Sequence, residues 1–181
     1  MTNQEVYPKT ERGAIPLRVG VGGSPESVIR AARLDANLAL AIIGGDPARF
    51  APYAKLYYDA LDKMHKPHRP ISIHSPGHIA DTDEQAIEEM WPAYEAAFGR
   101  IGVERGWPPV TFSRFEAQRG PRGAYLVGNP EEVAEKILRH SESLGGIDRL
   151  TFQMDNAGLS HQQLSESIAL IGEEVIPKVN Y

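Results

Sequence analysis

The chain has 181 residues, of which 41% are hydrophobic and 24% are charged, a composition typical of a globular protein rather than a disordered one. Its formal net charge is -5 and its Lys and Arg residues are scattered, which argues against nucleic-acid binding. No cysteine is present, so disulfides, zinc–thiolate sites and thiol nucleophiles are excluded.

Neither the interior nor the start of the chain predicts a membrane or export segment. The longest apolar stretch, residues 38–43, is much shorter than a bilayer span. Residues 1–13 are polar and lack the apolar region of a signal peptide. We therefore expect no membrane contact and a cytoplasmic location. Residues 1–14 are interpreted as a tail or broken connection ahead of a single α/β domain at 15–181.

Apolar runs alternate with helical patterns along this domain. Strands are predicted at residues 15–21, 38–43, 71–75 and 149–154, each ahead of a helix, at residues 25–34, 47–64, 83–101 and 161–171. The run at 38–43 is continuous, which is typical of a strand covered on both faces. An irregular insertion is expected at about residues 106–126, with one short helix near 113–117, before a further helix at 133–144.

This alternation predicts a parallel sheet with right-handed crossovers, either doubly wound or part of a barrel. In both architectures ligands bind at the carboxyl ends of the strands. Candidate site residues are therefore sought just after each predicted strand.

The glycine-rich turn after the first strand is the best candidate for an anion site. Gly22 and Gly23 allow close backbone approach, and the helix that follows offers free amide groups together with the hydroxyls of Ser24 and Ser27. A phosphate group would be well held there.

A plain capped helix start explains the same turn, with Ser24 as the cap and Pro25 in the first turn. The carboxylate of Glu26 would also repel a phosphate unless it points away. The other helices begin with side chains that use the free amides themselves or bring carboxylates, which favours the Gly22 turn by comparison. Those caps are Asp46, Thr82, Asn129 and Ser160, the second and last forming capping boxes with Gln85 and Gln163.

The histidines do not predict a metal site. His74 and His78 would lie about 13 Å apart on one face of an extended strand, too far to share one ion. Each of them, and His161 after the fourth strand, either lines a pocket or is structural. The other histidines, His65, His68 and His140, look exposed. The pair at residues 155–156 either contacts a ligand or turns the chain, and no nucleophile-and-base set stands out.

Four segments in order carry a family resemblance, namely residues 19–32, residues 41–50, His74 with residues 80–83, and residues 128–137. Together they resemble the bacterial luciferase-like monooxygenases, a class of flavin-dependent oxidoreductases. The resemblance implies a TIM (β/α)8 barrel and reduced FMN, or in some branches the deazaflavin F420, acting with oxygen on a small organic substrate. It also implies that Gly22, Gly23, Ser24 and Ser27 contact the flavin phosphate.

A full (β/α)8 barrel typically needs about 250 residues, so the four predicted units match its carboxyl-terminal half. The family's catalytic positions belong to the other half, and no catalytic residue is assigned here. Half a barrel would have two unpaired strand edges and an apolar inner face, so we expect a homo-oligomer or a partner half-barrel. The alternatives are a non-catalytic flavin- or phosphate-binding subunit, or a degenerate product that folds poorly.

Overall fold

The apolar runs form parallel strands in a computed structural model that describes residues 5, 7–11, 13, 15–154 and 158–179. Five strands share one sheet within these residues. They are β1 (Arg18–Val21), β2 (Asn37–Ala41), β3 (Ile71–Ile79), β4 (Leu126–Gly128) and β5 (Arg149–Gln153).

Helices follow the strands. They are α1 (Pro25–Arg33), α2 (Ala51–Lys63), α3 (Asp83–Arg105), α4 (Phe112–Arg119), α5 (Pro130–Ser143), α6 (His161–Leu170) and α7 (Ile176–Val179). A 3₁₀ turn, Pro47–Phe50, leads into α2, and a π-helical segment, Ile171–Val175, joins α6 to α7. The predicted α/β fold with alternating strands and helices is confirmed.

The long strand β3 is the centre of the sheet. It pairs with β2 through residues 71–74, with β5 through residues 72–76 and with β4 through residues 77–79, always in parallel. Strand β1 pairs with β2 alone, and β5 pairs with β3 alone, within the described residues. Both β1 and β5 therefore have an open edge, as expected for part of a barrel.

One face of the sheet is apolar and covered by helices. Val21, Leu38, Leu40, Ile71 and Ile73 are all buried in one core cluster with residues of α1 and α2. At about 25 cal/mol per Å² of apolar surface removed from water, this layer is the main source of stability.

The opposite face corrects the expectation of an apolar inner surface. Side chains alternate along a strand, so Ala39, Ala41, Ser72, His74 and Thr151 share the face away from the helices. Ala39 and Ala41 are half-buried rather than buried. The segment at 38–43 is therefore covered on one face, and the inner surface is small and polar.

Several local predictions differ from the structure. Strand β4 and the extension of β3 to Ile79 were not expected from the sequence. The box at Ser160 and Gln163 is complete, whereas the side chain of Gln85 bonds to Glu89 instead of the Thr82 backbone. His140, expected to be exposed, is buried.

The helices carry no sign of a membrane span. Among the described residues, none combines the length and the apolar character needed to cross a bilayer.

Candidate functional site

The turn after β1 is an exposed corner at the carboxyl end of the sheet. Gly22 and Gly23 are both exposed, and Gly23 has a φ of +126°, a conformation that favours glycine. A side chain at Gly22 would meet no atom within 4 Å, so the space above it is open. Helix α1 begins immediately afterwards at Pro25, which has no amide hydrogen, and the Ser27 amide also donates to the Ser24 carbonyl at 3.1 Å.

Ser24 caps the helix. Its hydroxyl accepts a hydrogen bond from the Ser27 amide at 3.3 Å, which is longer than the 2.9 Å from the Glu131 amide to the Asn129 cap. The capped-start interpretation therefore describes the protein without a ligand. It also means that this helix start differs less from the others than the sequence suggested.

The carboxylate of Glu26 lies at the same corner. It accepts a hydrogen bond of 2.8 Å from the Ser24 hydroxyl. Its own backbone amide and Ser24 lower the pKa of Glu26, so the group is ionised at neutral pH. Because Glu26 is exposed, its side chain can turn into solvent, and a bound phosphate would require that movement.

Two residues that the sequence reasoning missed complete the corner. Arg30, one turn along α1, donates to the Ser27 hydroxyl at 3.1 Å and brings a positive charge. Its spacing of three residues from Ser27 on a helix was a usable signal. Tyr53 of α2 donates to the Gly23 carbonyl at 2.8 Å, a contact across 30 residues that no local pattern predicts.

The predicted histidines do not come together at this corner. His74 is half-buried on the inner face of the sheet, and His161 is exposed at the start of α6. His78 is fully buried, with its Nε2 at 2.6 Å from a carboxylate oxygen of Glu89. Residues 155–156 lie outside the described residues, so their predicted role is untested.

A cavity at the end of β3 is the alternative place for a small molecule. It measures about 300 Å³, and the residues that line it include four acidic ones, Asp81, Glu89, Glu166 and Glu173. Burial opposes ionisation of Glu89, but hydrogen bonds, first from Gln85, outweigh it and keep the pKa of Glu89 low. This cavity would repel a phosphate, so the corner after β1 is the better anion site.

No family model matches the chain, and no curated protein matches it. Solved structures do match. Monooxygenase RslO1 from Streptomyces bottropensis is 19% identical with a TM-score of 0.77, over 96% of this chain and 51% of its own. The oxygenating constituent of 3,6-diketocamphane monooxygenase from Pseudomonas putida, solved with FMN, is 20% identical with a TM-score of 0.72, over 92% and 50%.

An F420-dependent tetrahydromethanopterin reductase from Methanopyrus kandleri is 18% identical with a TM-score of 0.61, over 92% of this chain and 51% of its own. The likeness to these TIM-barrel structures shows for this chain an α/β fold that matches half of such a barrel. The chain spans about half the length of each. Of these neighbours, the diketocamphane monooxygenase was solved with FMN and the reductase depends on F420.

Proposed function

We propose that the chain is a flavin-dependent oxidoreductase of the luciferase-like class, which uses reduced FMN and oxygen, or alternatively the deazaflavin F420, on a small organic substrate. The observation that carries this proposal is the match of 96% of the chain to half of a monooxygenase barrel. The independent chemical support is the corner after β1, from Gly22 to Ser27 with Arg30, which we call the anion corner. It lies at the strand end where ligands of such barrels bind.

The corner would hold the cofactor through its phosphate. Gly22 and Gly23 leave room for close approach. The Ser27 hydroxyl, which accepts from Arg30, would donate to a phosphate oxygen. The Ser27 amide, now shared between the Ser24 carbonyl and hydroxyl, would donate to the phosphate once that cap opens. Ser24 would add its hydroxyl once Glu26 turns away. Reduced flavin supplies the electrons for the chemistry, while these residues only bind and orient it.

Arg30 gives the corner its charge selectivity. Its guanidinium already lies at hydrogen-bond distance from Ser27, so a phosphate beside Ser27 would gain a charge-assisted bond without a large side-chain movement. The first turn of α1 adds the positive end of the helix dipole. Together these terms favour a dianion over the neutral ribityl chain of riboflavin.

A comparison of FMN with riboflavin, which differ by the phosphate alone, tests the site. We expect Ser27→Ala and Arg30→Gln each to weaken FMN binding by about tenfold, the usual effect of losing one bond to a charged group, and to leave riboflavin binding unchanged. Arg33→Gln, at an exposed arginine in the same helix, is the matched control. Equal losses for both flavins would refute the phosphate assignment.

Association with a second half-barrel is part of the proposal. The chain spans half of its structural neighbours, and β1 and β5 each leave an edge open. Self-association or a separate partner chain would cover these edges. Light scattering after size exclusion should give a mass of at least twice 19.9 kDa, either for the protein alone or for its complex with the partner. A stable monomer of 19.9 kDa would contradict the proposal.

Binding without turnover is the second candidate function. No catalytic residue is assigned in this chain, so a non-catalytic flavin- or phosphate-binding subunit fits the same corner. The second function would be favoured over the first if the associated half-barrels bind flavin but show no substrate-dependent oxidation of the reduced flavin.

A further inference from the structure

A cavity of about 460 Å³ opens beside the carboxyl end of β2 and shares no lining residue with the corner after β1. Ile43 and Gly44, which follow β2, form one side, and the segment between α3 and α4 forms another. Its volume lies within the range of small-molecule sites. Neither the anion corner nor the histidines account for it.

The walls of the cavity are aromatic. Tyr94 stacks on Phe98 with ring centroids 4.4 Å apart and lies 5.3 Å from Phe115, and all three line the cavity. Trp107, which is 45% exposed, also lines the cavity. Such walls suit a planar ring, because aromatic pairs gain from stacked and edge-on contacts in addition to area burial.

Two tyrosines that line the cavity have buried hydroxyl groups with more donors than acceptors. Tyr94 and Tyr125 are 8% and 4% exposed, and their hydroxyl oxygens are 2.5 Å apart. One hydroxyl donates to the other, so the second O–H group has no acceptor among the described residues. A buried donor without an acceptor is costly. An oxygen atom of a ligand would supply the missing acceptor.

Arg114 places a positive charge on the same cavity. It lines the cavity and is exposed, and within the described part of the chain it forms no ion pair. Among the described residues, its guanidinium makes one hydrogen bond, a long one of 3.4 Å to the Pro109 carbonyl. The guanidinium is therefore available to bind a carboxylate in the two-pronged manner that arginine favours.

We propose that this cavity binds a planar aromatic carboxylate of one or two rings that carries a hydroxyl or carbonyl oxygen on the ring. The carboxylate bonds to Arg114, the ring packs against Phe98 and Trp107, and the ring oxygen accepts the free proton of the Tyr94–Tyr125 pair. In the proposed enzyme this ligand would be the substrate class. Binding itself needs no flavin, so its failure and the failure of the proposed function are distinguishable.

Calorimetry on the flavin-free protein with matched ligands tests the inference in the wild type. The ligands are 4-hydroxybenzoate and 6-hydroxy-2-naphthoate, the same two acids without the hydroxyl, and 2-naphthol without the carboxylate. We expect at least one hydroxy acid to bind about fivefold more tightly than its deoxy partner, the usual effect of one neutral hydrogen bond. We also expect it to bind about tenfold or more tightly than 2-naphthol.

Two variants locate the binding. Arg114→Gln should remove the preference for acids over 2-naphthol. Arg122→Gln, at an exposed arginine that follows α4 and lies outside the cavity lining, should preserve it. The double variant Tyr94→Phe, Tyr125→Phe removes both partners of the buried bond, a change that is close to neutral for folding. It should abolish the preference for hydroxy acids, with cooperative thermal unfolding as the control.

Three results would overturn the inference. The first is that neither hydroxy acid binds with a dissociation constant below about 1 mM, a value already weak for a specific site. The second is equal binding of hydroxy and deoxy acids by the wild type. The third is an unchanged preference for acids in Arg114→Gln.

Discussion

The buried histidine of α5 makes the protein acid-sensitive. His140 is 3% exposed, and neither ring nitrogen has a hydrogen-bond partner of good geometry among the described residues. Burial, reinforced by the charge of nearby Lys136, lowers the pKa of His140 to about 4, although the backbone of Gly123 opposes part of this effect. The ordinary pKa is 6.5, so the folded protein holds this imidazole neutral over a pH range in which the unfolded chain protonates it.

The direction and size of the effect follow from that difference. Stability is fully present above pH 6.5 and is lost as the pH falls towards 4, because protons bind preferentially to the unfolded chain. Each pKa unit is worth 1.36 kcal/mol, so His140 costs the folded state about 2.5 kcal/mol at pH 4.5. A leucine at this position is similar in size and cannot be protonated.

Urea unfolding of the wild type and His140→Leu at pH 7.5 and 4.5 measures this cost. When the pH is lowered from 7.5 to 4.5, the free energy of unfolding of the variant should rise by about 2.5 kcal/mol relative to that of the wild type. All other titrating groups are common to both proteins and cancel in this comparison. His161→Leu, at an exposed histidine, should show no such gain. Parallel losses of stability in the wild type and His140→Leu would refute the reasoning.

Two glycines and two serines give further predictions from the same unfolding assay. Gly77→Ala should destabilise the protein by about 2 kcal/mol, because the added Cβ would lie 2.4 Å from an aromatic ring of β5. Gly99→Ala should stabilise it by about 0.5 kcal/mol, because this helical glycine has open space around it. Equal effects would contradict this. Ser167→Ala should cost about 1–2 kcal/mol, since its buried hydroxyl accepts from the Ile79 amide at 2.9 Å. The exposed Ser165→Ala should change little, and a loss as large as that of Ser167→Ala would count against the account.

The sequence predicted the alternation of strands and helices because long apolar runs and helix caps are local signals. Strand β4 has only three residues, Leu126–Gly128, and only its pairing with β3 makes it a strand. The inner face was misjudged because Ala39 and Ala41 were counted with Leu38 and Leu40 as one apolar run. The alternation of large and small side chains in this segment was the available sign that helices cover only one face of the strand.

Burial of His140 could also have been inferred from helical spacing. Val133 and Ile137 lie seven and three positions before it on the same face of α5, and both are buried. The residue type, rather than the pattern, suggested exposure. The periodicity of the helix was the better guide.

The candidate site was only partly visible in the sequence. The turn from Gly22 to Ser27 stands out locally, and Arg30 follows at helical spacing. Tyr53 reaches the turn from the next unit, and the cavity at Tyr94 and Tyr125 depends on packing across distant segments. Tertiary contacts of this kind have no local pattern, so the structure alone reveals them.

A crystal structure of the protein with FMN tests the central claim most directly. The account predicts the phosphate at the start of α1, within hydrogen-bond distance of the Ser27 amide and hydroxyl and of Arg30, with Glu26 turned into solvent. A phosphate bound elsewhere, with Ser24 still capping the Ser27 amide and Glu26 in place, would contradict it.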